Sequence, residues 1–128
     1  MRCARIAMFS VWHTKAIERT LESAMIVNRN AARIWSETGF DGIVSCPTWS
    51  GNDGDGGYLA KLAAGARFPR HRHQGWEQIV VLSGAVRFDD AELRTGDVLQ
   101  VEGDDEHEAL ALEDTTLFVA HHRGIVFT

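Results

Sequence analysis

The sequence predicts an all-β sandwich or barrel preceded by one short helix, on three observations. From Arg33 onward, short apolar stretches alternate with clusters of Gly, Asp, Asn and Ser, the pattern of strands joined by turns. A helical period is confined to one stretch near the N-terminus. The chain has 128 residues, 45% of them apolar and 24% charged, enough for one core and one ordinary globular domain.

The elements are justified in order. Between Ala16 and Met25, Ile17, Leu21, Ala24 and Met25 recur at spacings of three or four, with Glu18, Arg19, Glu22 and Ser23 between them. That spacing predicts an amphipathic helix that packs on the β domain or on a second copy of the chain. The texture changes near Asn28, which divides the chain into an arm, 1–28, and a β domain, 29–128. Strands are then predicted at Gly42–Cys46, Gly57–Ala63, Phe68–His73, Glu77–Leu82, Ala85–Phe88, Val98–Val101, His107–Leu112 and Thr116–His121. The breaks Ser50–Gly57, Ser83-Gly84, Asp89-Asp90, Thr95-Gly96-Asp97 and Gly103-Asp104-Asp105 carry turn chemistry. The stretch from Asn52 to Gly56 has the Asp and Gly content of a calcium loop but not its ligand spacing, so it reads as a turn.

Composition excludes several partners. The net charge of −5, without any run of Lys or Arg, offers no surface for nucleic acid. No apolar span is long enough to cross a membrane. Arg2 and Arg5 interrupt the apolar opening stretch, which argues against a signal peptide. Cys3 and Cys46 form no CxxC, so neither a disulfide framework nor a thiolate site is expected. A soluble cytoplasmic protein is the expectation. Ile79, Val80, Val81 and Leu82 make a strand apolar on both faces, which predicts that a homodimer covers the outer one.

The chemistry lies between Gly65 and Gly84. Side chains two apart on a strand share a face, so His71 and His73 present imidazoles to one point. Glu77 has the same parity, and the turn residues Gln74-Gly75 are expected to bring the start of the next strand back beside the first, returning the carboxylate to that point. His107, which opens a later strand after Asp104-Asp105-Glu106, is the candidate fourth donor. Three nitrogens and one carboxylate suit one divalent transition metal, iron, manganese, nickel or zinc, and not calcium or magnesium. Such a set leaves coordination positions for a small-molecule ligand or substrate.

These residues resemble the cupin superfamily. Gly65, five residues, His71-x-His73, three residues, Glu77, six residues and Gly84 match the first cupin motif. The second motif matches in part: Gly96 and His107 are in place, while Glu102 stands for its proline, Asp104 for its glycine and Ala111 for its asparagine. The resemblance covers about Arg33 to Val126. It implies a jelly-roll barrel whose metal ligands are His71, His73, Glu77 and His107. The Phe-Pro-Arg-His-Arg-His wording is similar to the cupin domain of ChrR-type zinc-dependent anti-sigma factors, and small cupin dioxygenases that cleave ketones or diketones are similar too. Metal-free sugar isomerases and epimerases share the same fold.

Around the ligands, Ala109 and Ala111 share the parity of His107 and leave space beside a metal. One of His121 and His122 must face inward, and His121 is the candidate acid or base. Tyr58 is the candidate proton donor, with Lys61 at the opposite parity. Trp76 beside Glu77 reads as a packing residue.

Overall fold

The computed structural model describes residues 17–19 and 24–128. The chain divides after Trp35 into two compact units. In the first, β1 (Ile17–Arg19) pairs antiparallel with β2 (Ile26–Asn28), and a single 3-10 turn follows at Asn30–Ala32. The helix expected at Ala16–Met25 is therefore corrected: Ile17, Glu18 and Arg19 form a strand, Ala24 and Met25 are not helical, and Ala16 and residues 20–23 lie outside the described residues. A ten-residue segment cannot pay the cost of helix nucleation from its own period. The β-branched pair Ile26-Val27 supplies a strand for Ile17–Arg19 to pair with instead.

The second unit, Ser36–Thr128, holds two antiparallel sheets. Their strands are β3 (Ser36–Glu37), β4 (Ile43–Ser50), β5 (Gly56–Leu62), β6 (Arg67–His73), β7 (Glu77–Ser83), β8 (Ala85–Phe88), β9 (Ala91–Arg94), β10 (Val98–Val101), β11 (Glu106–Ala111), β12 (Thr115–His121) and β13 (Ile125–Phe127). One sheet runs β10-β7-β12-β5-β4-β3, the other β13-β6-β11-β8-β9. The chain thus crosses between sheets at the β5–β6, β6–β7, β7–β8, β9–β10, β10–β11, β11–β12 and β12–β13 connections.

Alternation fixes which side chains meet between the sheets. From one sheet come Tyr58, Ala60 and Leu62 of β5, Ile79 and Val81 of β7, and Leu117 and Val119 of β12; from the other come Phe68, Val86, Phe88, Ala109 and Ala111. Val81 and Val86 are fully buried, and each contributes about 1.5–3 kcal/mol of hydrophobic stabilisation. Thr115 stays satisfied in this interior, since its hydroxyl bonds the Ala85 N–H and C=O. The adjoining turn needs Gly84: its φ is +101°, and a Cβ there would lie 2.3 Å from the Asp114 carbonyl oxygen.

Candidate metal centre

His71 and His73 lie on β6, and His107 on β11 faces His71 in register across the same sheet. Glu77 opens β7 in the opposite sheet, where its backbone partners are Val101 and His121. The Gln74–Trp76 turn thus carries the chain across the sandwich rather than folding β7 back beside β6. The carboxylate then approaches the three imidazoles from the facing wall. The convergence of two strands and a crossover is what a same-sheet parity argument does not supply.

All four side chains are buried, with relative exposures of 2–7%. Their ligating atoms lie within 4.8 Å of one another. The histidine rings sit 4.6–4.8 Å apart, centroid to centroid. The His73 Nε2 is 2.9 Å from Glu77 Oε1, and the His107 Nε2 is 3.9 Å from the same oxygen. Donors around one ion at bond lengths of about 2.1 Å stand roughly 3–4 Å apart, which the 2.9 and 3.9 Å separations from Glu77 Oε1 match. It is the only such cluster among the described residues.

Two backbone carbonyls set the orientation of the β6 imidazoles. His71 Nδ1–H donates to the Pro69 carbonyl and His73 Nδ1–H to the Asp105 carbonyl, each at 2.8 Å. A carbonyl can only accept, so Nδ1 of each ring keeps its proton; Nε2 of His71 presents its lone pair to the centre, and Nε2 of His73 faces the Glu77 carboxylate. The acidic turn before His107 also supports β6 through its backbone, because the Asp105 carbonyl accepts the His73 backbone N–H as well. Neither carbonyl was visible in sequence, since a main-chain acceptor leaves no residue signature.

The electrostatics suit ligation. Burial, then repulsion from His71 and His73, pulls the His107 imidazolium down to about 4. Burial also lowers His71, against the pull of the Pro69 carbonyl. Burial lowers His73 as well, but its bonds to Glu77 and Asp105 outweigh that and raise it. Two imidazoles are thus held neutral, as metal ligands must be, and the third shares its charge with the carboxylate.

His71, Glu77 and His107 of the cluster form part of the wall of a cavity of about 240 Å³. Ile43, Leu62, Phe68, Ile79, Phe88 and Leu117 are among its apolar lining residues, with Tyr58, Thr38 and Ser45 as polar points. Ala109 lines it, whereas Ala111 belongs to the packed core. A second cavity, about 130 Å³, touches His73, Glu77 and Tyr58 together with His121 and Arg123.

The remaining sequence candidates separate by face. His121 stands opposite Glu77 on β12 and lines the second cavity, with its ring 5.8 Å from Tyr58. His122 turns away, bonds Asp55 through Nδ1 and stacks on Trp76. Tyr58 reaches both cavities, while Lys61 is exposed on the outer face. Burial, with the Glu77 carboxylate nearby, pushes the Tyr58 phenol up, so its O–H is retained. Cys46 is buried and free, and Cys3 lies outside the described residues. Arg123 escaped the sequence reading, because nothing marks a loop arginine before its loop is placed.

A family model for the ChrR cupin-like domain matches residues 23–126. The chain is a cupin of that family. Among proteins of curated function, none matches this cupin. An RmlC-like cupin from Ralstonia eutropha superposes with a TM-score of 0.71 at 19% identity, covering 77% of this chain and 68% of that one. The ChrR–SigE complex from Rhodobacter sphaeroides, in which ChrR is the anti-sigma partner, gives 0.63 at 26% identity over 72% of this chain and 50% of that one. The cupin therefore spans about half of the chain it matches there. An acetylacetone dioxygenase from Acinetobacter johnsonii gives 0.69 at 12% identity, covering 99% and 84%. At 12 and 19% identity the likeness is one of fold alone. No helix among the described residues is long and apolar enough to cross a membrane.

Proposed function

We propose that this cupin is a metal-dependent enzyme that cleaves a carbon–carbon bond of a small organic molecule in a dioxygenase-type reaction. One observation supports the reading above the others: His71, Glu77 and His107 of a buried three-imidazole, one-carboxylate cluster line a largely apolar cavity of about 240 Å³. His71, His73, Glu77 and His107 would hold one ion of iron, manganese, nickel or zinc. Such an ion supplies Lewis acidity and, for iron, redox chemistry toward substrate and dioxygen.

The chain's own residues supply the rest. The aliphatic and aromatic walls exclude water and position the substrate's apolar body. Tyr58, kept protonated by burial and by Glu77, donates a hydrogen bond to a substrate oxygen. His121 Nδ1–H donates a hydrogen bond to the Arg123 carbonyl at 2.8 Å, which leaves the Nε2 lone pair free toward the cavity side. A second copy of the chain covers Leu82 and Val98, both exposed on the outer face, and light scattering that returns a monomer rejects that part.

The test is oxygen uptake by the iron-loaded protein against a panel of β-diketones and hydroxyacetophenones, after metal analysis of the purified protein. Turnover above that of free iron is expected, and its absence across the panel rejects catalysis of this kind. The family match and the 26% identity to ChrR favour a second reading, a ligand-sensing cupin without turnover. Metal-dependent capture of a sigma-type partner by the full chain distinguishes it. A metal-free isomerase requires that no metal copurify.

A further inference from the structure

The two cavities share Tyr58, Glu77 and Ile125 and differ in everything else. His71 and His107 face the larger one, His73 faces the smaller, and Glu77 belongs to both. A molecule in contact with the centre can thus extend into an apolar space on one side and, on the other, into a space bordered by more polar side chains, His73, His121 and Arg123 among them. The polar side contains Arg123. Among the described residues its guanidinium, on an exposed residue, has no ion-pair or hydrogen-bond partner; Arg87 is alike in this but lines neither cavity, and Arg67, Arg70, Arg72 and Arg94 each pair with a carboxylate. The Tyr58 hydroxyl likewise makes no hydrogen bond among the described residues, although the residue lines both cavities. Two unused donors therefore border one small space.

The backbone holds Arg123 there at a cost. Its φ is +67°, a conformation that favours glycine, and glycine is the next residue. The β4–β5 loop locks it from outside: a Cβ on Gly54 would stand 3.0 Å from the Arg123 Cα. Asp55 of the same loop bonds His122, and His121 Nδ1–H bonds the Arg123 carbonyl. A strained arginine retained at a cavity mouth without a partner calls for a role.

We propose that Arg123 and Tyr58 anchor a carboxylate, so that the substrate of this centre is a small organic acid with an apolar body. The guanidinium fork matches a planar carboxylate in charge and shape, and the Tyr58 hydroxyl supplies a further donor. The Glu77 carboxylate on the same wall disfavours a doubly charged group such as a phosphate monoester. The apolar body occupies the larger cavity. The proposal rests on the metal-centre reading, and its test keeps the two apart.

Full-length protein loaded with redox-silent zinc is titrated calorimetrically with 4-oxopentanoate and with its neutral amide. The acid binds at least about tenfold more tightly than the amide. Arg123→Gly abolishes that preference, Arg123→Lys keeps part of it, and Tyr58→Phe weakens binding of the acid. Glycine suits φ +67°, so Arg123→Gly retains its thermal midpoint and loss of folding does not imitate loss of binding. An acid preference that survives Arg123→Gly means that the metal holds the carboxylate, and overturns the proposal. Equal binding of acid and amide at full zinc occupancy overturns it too. Absence of bound zinc with an intact, Arg123-dependent preference rejects the metal reading and upholds the anchor.

Discussion

Replacing Ala109 with leucine separates the cavity's role in stability from its role in binding. Ala109 is 4% exposed, lies two residues from His107 on the same face of β11, and lines the 240 Å³ space. Leucine adds three carbons where the other walls are Ile43, Leu62, Phe68 and Leu117. At about 0.8 kcal/mol per buried carbon the gain is roughly 2.4 kcal/mol. Ordering the longer side chain costs about 0.5–1 kcal/mol, which leaves an upper value of about 1.9 kcal/mol of added stability. The same carbons occupy the space beside the ligands in which the substrate body is placed. Urea unfolding of the metal-loaded variant should give a midpoint equal to or above that of the parent, while substrate binding falls more than about tenfold. Destabilisation beyond about 1 kcal/mol with undiminished binding refutes the reasoning, because it shows a strand interface already closed at Ala109 and a ligand that does not use this space.

Three further outcomes follow from the site and its supports. His73→Ala lowers zinc affinity by at least about 100-fold, whereas Asp105→Ala, which keeps the carbonyl that His73 uses, leaves it unchanged; competition with a chromophoric chelator measures both. In metal-free protein, His107 and His71 have folded values below the unfolded value near 6.5, so the stability they confer is present above pH 6.5 and is lost as pH falls toward about 4. The raised His73 opposes this with a contribution that is present at acid pH and lost as pH rises; His107→Asn should flatten the acid limb, and unfolding midpoints between pH 7.5 and 4.5 test it. Gly84→Ala destabilises by more than about 2 kcal/mol, because φ +101° and an Asp114 oxygen 2.3 Å from the new Cβ leave no room to relax; calorimetric unfolding measures it.

The readable parts of the sequence were those in which local geometry carries the information. Alternation located the β4–β8 and β10–β12 regions because an inward face must be apolar wherever two sheets meet, and the observed ends differ mostly by one residue. β4 is the exception, continuing through Pro47 to Ser50 past the expected end at Cys46. β9 was missed because Ala91–Arg94 has one buried apolar residue, Leu93, and follows an Asp89-Asp90 turn. β13, three residues at the end of the chain, pairs only with β6 and has little pattern to read. His71, His73, Glu77 and His107 were legible together, but not the route of Glu77, which arrives from the opposite sheet. The orientation of β12 decided between His121 and His122, and register with β5 decided between Tyr58 and Lys61. Those choices depend on long-range pairing, which no window of sequence contains.

The carbonyls that hold His71 and His73 belong to the polypeptide and not to replaceable side chains. A partner acid could be swapped to retune a metal's affinity or potential, but a main-chain oxygen has no such alternatives. Variation among relatives at positions 69 and 105 can therefore be wide without altering how the imidazoles aim. Adjusting this centre requires bending β6 or the 104–105 turn, so selection for a different metal would register as insertions and altered turn types rather than as changed neighbours.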